Sequence, residues 1–196
     1  MITYGSSVAK NAILFLHGFN QSARDAKDLV ALAITPEVLK KYSYVFYFPD
    51  EEWYEYENAY SETNHDYKRE SLIRSRKYLR KFLSEVKVSH TLIKLAGYSQ
   101  GATVALDFAH KIDPLTTLSI SGFLMKPSFV KPGENYRLTP VVYHFHGSED
   151  QCILSDMAMQ SLLNRVSRYK IIEADHWGFW HSPTFRKFFI DFIKQK

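Results

Sequence analysis

Short apolar runs and helix-period stretches alternate along this chain. "AILFLHG", from Ala12 to a stop at Gly18, is apolar without alternation and reads as a strand buried on both faces. "SYVFYFP", closed by Pro49, "TLIKLAG", "LTTLSISG", "PVVYHFHG" and "YKIIEA" have the same character. Between them, apolar residues recur at helical spacing. "SARDAKDLVALAI" carries Ser22 in the N-cap position. Residues 67–87 place Leu72, Leu79, Phe82 and Val86 on one stripe. "GATVALDFAHKI", "SDMAMQSLLNRV" and the closing "TFRKFFIDFIK" read as three further helices.

Strand then helix, repeated, predicts the α/β class: a mostly parallel central sheet with helices on both faces. Ligands of such sheets bind beyond the carboxyl ends of the strands. The residues that follow each strand therefore carry the functional argument. The first strand runs into His17-Gly18-Phe19-Asn20, and the third into Gly97-Tyr98-Ser99-Gln100-Gly101. The fifth leads to His146-Gly147-Ser148-Glu149-Asp150, and the last to Ala174-Asp175-His176-Trp177. A hydroxyl, a carboxylate and an imidazole thus stand in chain order at strand ends. A serine hydroxyl becomes a competent nucleophile when an imidazole takes its proton. A carboxylate on the other ring nitrogen fixes the tautomer and stabilises the imidazolium. Gly97 and Gly101 leave room for a tight strand-to-helix turn that presents Ser99. The Gln100 N–H, at the start of the following helix, and the Phe19 N–H are the candidate donors to an oxyanion.

Each candidate has a rival. Glu149 neighbours Asp150, and Asp150 itself suits a cap for the helix near Ser155. His181, in "GFWHS", competes with His176, although His176 follows its strand directly, which limits the wobble of a base. His144 and His146 form an H-x-H pair on one strand face, a metal-binding spacing, but no third ligand stands at a fitting distance in sequence, and metal: none is the expectation. His17 reads as a buried support for the turn after the first strand, and Cys152 as a small packed side chain.

Composition narrows the setting. At 196 residues, 45% of them hydrophobic, the chain fits one domain, 1–196, with a core large enough to need no disulfide or metal. One cysteine forms no intrachain disulfide, and the start "MITYGSSVAK" has no basic leader before an apolar run. A cytoplasmic setting is expected, with no stable membrane insertion. The net charge of +4 is unevenly spread. Residues 50–66 are acid-rich, and Lys68, Arg69, Arg74, Arg76, Lys77, Arg80, Lys81 and Lys87 follow. A solvated helix face beside an acidic loop accounts for this, and no nucleic-acid partner is expected. The same loop holds Trp53, Tyr54, Tyr56 and Tyr60. They form a packed flap, or a wall of a substrate pocket together with Phe19, Phe123 and Trp177.

These motifs resemble those of the α/β-hydrolase serine esterases, the carboxylesterase/acyl-protein thioesterase group and, closer still, the FSH-type serine hydrolases. "LHGFNQS" is similar to the family's turn after the first strand, "GYSQGATVAL" to its nucleophile elbow, and "ISGFLMKP" to the strand and loop that follow. "HFHGSEDQCI" resembles the acid-bearing motif and "EADHWGFWHSPTFRKFFIDFI" the histidine motif with its terminal helix. Gln151 and Cys152 stand where the family usually has proline and valine, and Asp175 where it commonly has glycine. The resemblance implies an α/β-hydrolase fold with a minimal lid. It also implies Ser99 as nucleophile, Asp150 as acid, His176 as base, and no cofactor. The expected reaction is hydrolysis of a carboxylic ester, in a small-molecule or acylated substrate, through an acyl-enzyme, with cleavage of acyl-protein or acyl-carrier thioesters as the alternative and a catalytically silent binding module as the rival from another class.

Overall fold

Seven strands make one sheet in the computed structural model, which describes residues 2–55, 67–113, 115–125, 140–163 and 165–195. They are β1 (Ile2–Gly5), β2 (Asn11–Leu16), β3 (Tyr44–Phe48), β4 (Leu92–Tyr98), β5 (Thr117–Ile120), β6 (Val142–Gly147) and β7 (Arg168–Ile172). Their spatial order is β1-β3-β2-β4-β5-β6-β7. All neighbours pair in parallel except β1, which lies antiparallel on β3 at one edge. This is the mostly parallel α/β sheet that the alternating pattern predicts and the α/β-hydrolase fold that the resemblance implies, with one strand more at the edge.

The helices are α1 (Ala23–Ala33), α2 (Pro36–Tyr42), α3 (Arg69–Lys87), α4 (Gln100–Lys111), α5 (Ser155–Ser161) and α6 (Pro183–Lys194), with a 3-10 turn at Gly178–His181. Strand side chains alternate between two apolar layers. Ile13, Phe15, Phe46, Phe48, Tyr98 and Phe145 face α1 and α6. Ala12, Leu14, Leu16, Val45 and Leu95 face α3 and α4. The central strands are therefore apolar on both sides, which removes the period-2 signal and leaves continuous runs. Helix α1 starts on a capping box: Ser22 Oγ accepts from Asp25 N at 3.3 Å and Asp25 Oδ2 accepts from Ser22 N at 2.8 Å. Helix α2 stands apart from the single helix read through "SARDAKDLVALAI". Pro36 at its first turn restarts the helix, and only Leu39 is buried. Helix α5 stops at Ser161, short of the reading that ran it to Val166.

Helix α6 is held on the sheet by an aromatic cluster and by one lysine. Phe185, Phe188, Phe189 and Phe192 line its buried face at helical spacing. The Phe185 ring lies 4.8 Å from Phe145 and 5.0 Å from Trp180, edge to face in both cases. Truncation at this fully buried site leaves a cavity, so Phe185→Ala lowers unfolding free energy by about 3–5 kcal/mol in urea titration. Lys94 interrupts the apolar run of β4. Its Nζ donates to the carbonyls of Phe192 (2.6 Å), Ile193 (2.9 Å) and Gln195. Three ammonium protons meet three carbonyls at the end of α6, where a helix leaves acceptors unsatisfied. Burial pushes the Lys94 pKa down to about 8.

Half of the basic residues on and beside α3 are answered by carboxylates within the chain. Arg76 makes a two-pronged ion pair with buried Asp107, at 2.7 and 2.8 Å. Lys87 pairs with Asp113, and Lys68 and Arg74 with Glu55. These pairs support the solvated-face reading over an anionic partner. Residues 56–66, which include Tyr56 and Tyr60 of the expected flap, lie outside the described residues, as do 126 and 127 of "ISGFLMKP".

Candidate active site

Every loop of interest leaves the same edge of the sheet. Leu16 at the end of β2 sits beside Gly97 near the end of β4, so the turns that follow start as neighbours. At the β4–α4 turn, Ser99 adopts φ 53°, ψ −119°, a left-handed conformation costly for a residue with a Cβ. The glycines around it are sterically required. A Cβ on Gly97 would lie 2.5 Å from the Gly101 carbonyl, and one on Gly101 would lie 2.3 Å from the carbonyl oxygens of Leu16 and His17. Backbone approaches backbone there, and nothing can give way.

His176 comes from the loop after β7, three strands away from β4, so the loop must return roughly 14 Å across the sheet edge. Tyr98 holds it there. The buried phenol donates to the His176 carbonyl at 2.9 Å, and its ring packs 5.1 Å from the imidazole. Burial, then the nearby Asp150, Cys152 and Asp175, pushes the Tyr98 pKa far above its ordinary value, so the hydroxyl stays a donor. Asp175 accepts from the amides of Trp177 (2.9 Å) and Gly178 (2.6 Å) and folds the loop just past the histidine. Removing the Tyr98 hydroxyl frees this anchor. Tyr98→Phe lowers the rate at which a fluorophosphonate labels Ser99 about 3–10-fold, as timed labelling read by mass spectrometry will show.

The imidazole is bonded at both nitrogens. His176 Nε2 lies 3.0 Å from Ser99 Oγ, and Nδ1 lies 2.6 Å from Asp150 Oδ2. The carboxylate accepts, so Nδ1 carries the proton and Nε2 is left to accept from the hydroxyl. Such an imidazole can take the serine proton as the oxygen attacks. Asp150 is itself gripped: Oδ1 accepts from Cys152 N and Ile153 N, each at 2.9 Å, and Oδ2 lies 3.2 Å from His146 Nε2. Burial opposes ionisation of Asp150. Hydrogen bonds from His146, His176 and the Ile153 amide outweigh it and hold the carboxyl below the usual carboxylate range.

The rivals separate here. Glu149 and His181 are exposed, and His176 and Asp150, both buried, make the contacts with Ser99 and with each other. The capping role considered for Asp150 is met in part, because it accepts two amides of the turn before α5. Cys152 departs from its reading as a packed side chain. It is exposed, because the turn at Asp150 directs its backbone N–H inward. Partial burial of the thiol and then the carboxylates of Asp150 and Asp175 raise its pKa, which disfavours the thiolate. Among the described residues, Asp150, Cys152 and His176 bring ligand-type atoms within 4.8 Å of one another. Two of the three are already bonded to each other. His144 and His146 likewise bond to each other, at 3.1 Å.

Residues 41–189 match the family of serine hydrolases typified by FSH1. The chain belongs to that family. No curated protein matches this serine hydrolase in sequence. Among solved structures it is similar to esterase PE8, at 18% identity and a TM-score of 0.74, with 97% of each chain covered. A substituted form of SOBER1 from Arabidopsis thaliana superposes with a TM-score of 0.75 at 18% identity, covering 95% of this chain and 98% of the other. Acyl-protein thioesterase 2 from Zea mays gives 0.70 at 17%, covering 98% and 99%. At such identities these likenesses concern the fold.

The remaining predicted residues of the hydrolase surround the elbow. Gln100 is buried at the first turn of α4, and its side-chain amide donates to the Tyr54 carbonyl at 2.8 Å. Trp53 donates through Nε1 to the His17 carbonyl at 2.9 Å. The His17 ring packs on Trp53, 5.1 Å away. Trp53, Tyr54 and Phe123 are buried in the α3–α4 apolar layer, whereas Phe19 and Trp177 are exposed. Tyr98 and His146 escaped the sequence reading as contributors to the site. The first lay inside the elbow motif, and the second read only as half of an H-x-H pair. No helix among the described residues is long and apolar enough to cross a membrane.

Proposed function

We propose that this serine hydrolase cleaves carboxylic esters through an acyl-enzyme on Ser99. The observation that carries the reading is the His176 ring, bonded to Ser99 Oγ on one side and to Asp150 on the other. Ser99 Oγ attacks the acyl carbon while its proton moves to His176 Nε2. The N–H groups of Gln100 and Phe19 hold the oxyanion of the tetrahedral intermediate. The intermediate collapses, the C–O bond to the alcohol breaks, and Nε2 returns the proton to the departing oxygen. Water then repeats the sequence on the acyl-enzyme: its proton goes to Nε2, its oxygen bonds the acyl carbon, and Ser99 leaves with the proton. No cofactor enters these steps, and one domain carries them all.

Trp53, Tyr54 and Phe123 form the inner wall on the acyl side, because the Gln100–Tyr54 bond ties that layer to the elbow. Trp177, exposed directly after the base, lines the mouth. Exposed Phe19 and Leu154 follow β2 and β6 at the same edge, so an apolar acyl group is the substrate class that fits. The same exposed residues favour one second reading, cleavage of an acyl-protein or acyl-carrier thioester, the first of which the name of the maize structure also carries. The single cysteine is consistent with work in a reducing cytoplasm.

Rates on oxygen esters and thioesters of matched chain length test the assignment. Faster turnover of the oxygen esters supports it, and a thioester preference moves the protein to the second reading. Turnover of neither, by folded protein, removes both.

A further inference from the structure

Behind Asp150 a line of buried polar side chains continues across the sheet. His144 and His146 share the face of β6 opposite Tyr143 and Phe145, and Ser119 of β5 pairs in register with His144. All three are fully buried. His146 Nε2 lies 2.7 Å from the Ile153 carbonyl and 3.2 Å from Asp150 Oδ2. Both partners only accept, so Nε2 carries a proton whatever the charge of the ring. With His146 neutral, its Nδ1 accepts from His144 Nε2–H at 3.1 Å, and His144 Nδ1 accepts from the Ser119 hydroxyl at 3.1 Å. Every bond in the line then points toward Asp150. Burial, and then His146 beside it, pushes the His144 pKa down to about 3, which keeps that ring neutral.

We propose that His146, oriented by His144 and Ser119, is a positioning residue for the reaction, acting as the second imidazole donor to Asp150. The proposal rests on Ser99 and His176 acting as described above. His146 acts at two points of one turn. Its one Nε2–H is shared: the shorter bond, 2.7 Å, holds the Ile153 carbonyl, the longer contact, 3.2 Å, reaches Asp150 Oδ2, and the Ile153 N–H donates to Oδ1 at 2.9 Å. Asp150 is also faced by Tyr98 from β4, by His176 and Asp175 from the loop after β7, and by Cys152 on its own loop. Among these, His146 and His176 are the side chains that donate to it.

Two near-isosteric replacements separate the roles. In His146→Gln the amide nitrogen reaches the place of Nε2 and keeps a donor to Asp150. In His146→Asn the shorter side chain keeps an acceptor for His144 and loses that donor. The expected result for His146→Asn is a kcat about 10–100-fold lower with KM within about twofold. Loss of one donor leaves the carboxylate more basic, so it stabilises the His176 imidazolium more. The acid limb of kcat/KM therefore moves up by about 1 pH unit. His146→Gln returns most of the rate and the wild-type limb. If His146→Asn does not fold, the double variant His144→Leu/His146→Leu, which leaves no unpaired ring nitrogen, takes its place with the same expectation. A folded variant with wild-type kcat and an unmoved limb overturns the proposal. So does a loss of kcat with an unmoved limb and no rescue by Gln, since that is what loosened packing does. Wild type that neither turns over a nitrophenyl ester nor takes a fluorophosphonate overturns the underlying reading instead.

Discussion

Ser99→Ala lowers kcat for ester hydrolysis by about 10⁶-fold, to the residual rate that oxyanion donors and binding support without a nucleophile. The protein stays folded, since the change removes one half-buried oxygen whose polar contact is the bond to His176 Nε2. Backbone strain adds a stability signature. Ser99 sits at φ 53°, so Ser99→Gly is equally inactive yet more resistant to urea, by about 1 kcal/mol. Inactivation coupled to stabilisation is the expected behaviour of a residue held in a strained turn for chemistry. A variant that keeps substantial activity without the hydroxyl would place the nucleophile elsewhere.

Asp150→Asn lowers kcat by about 10⁴-fold with only a modest change in KM. The reason is a count of protons. Four donors meet the carboxylate: the amides of Cys152 and Ile153, the Nδ1–H of His176 and the Nε2–H of His146. An asparagine amide must turn its NH2 toward one pair of them. If it faces the backbone amides, the turn opens. If it faces the imidazoles, His176 must accept at Nδ1 and carry its proton at Nε2, the tautomer that cannot take a proton from Ser99. Stability carries a matching sign. The folded state holds the Asp150 pKa below its unfolded value, so its contribution is present above about pH 4 and is lost on further acidification. Urea titrations from pH 7 to 3 will show a shallower loss for Asp150→Asn than for wild type.

The parts of the fold that could be read from sequence are those where both sheet faces are covered. Strands β2 to β6 announce themselves as apolar runs because helices lie above and below them, whereas β7, exposed over Arg168–Lys170 at the far edge, shows in the sequence mainly through Ile171 and Ile172. Strand β1 does not: two half-buried and two exposed residues at the edge give no run and no long alternation. Helix α2 is hidden for a related reason, since seven residues with one buried leucine carry no stripe. At the site, residue type and place at a strand end were enough to nominate Ser99, Asp150 and His176. The sequence preferred His176 to His181 for its place directly after the last strand, but the means that holds it over the elbow, the Tyr98 bond to its carbonyl, needed the third dimension. The Ser119–His144–His146 line was equally out of reach, because it depends on the register of β5 against β6. Lys94 was visible in the sequence as a charge within a buried strand, but its acceptors lie about a hundred residues away, at the end of α6.

Every proposed step depends on activation of Ser99 Oγ by His176 in the folded protein. Reaction with a fluorophosphonate probe, followed by peptide mass spectrometry, reads it directly. One adduct is expected, on Ser99, absent in Ser99→Ala and formed far more slowly in Asp150→Asn. A folded wild-type protein that takes no probe, or takes it on another residue while Ser99 stays unmodified, rules out Ser99 as the activated nucleophile.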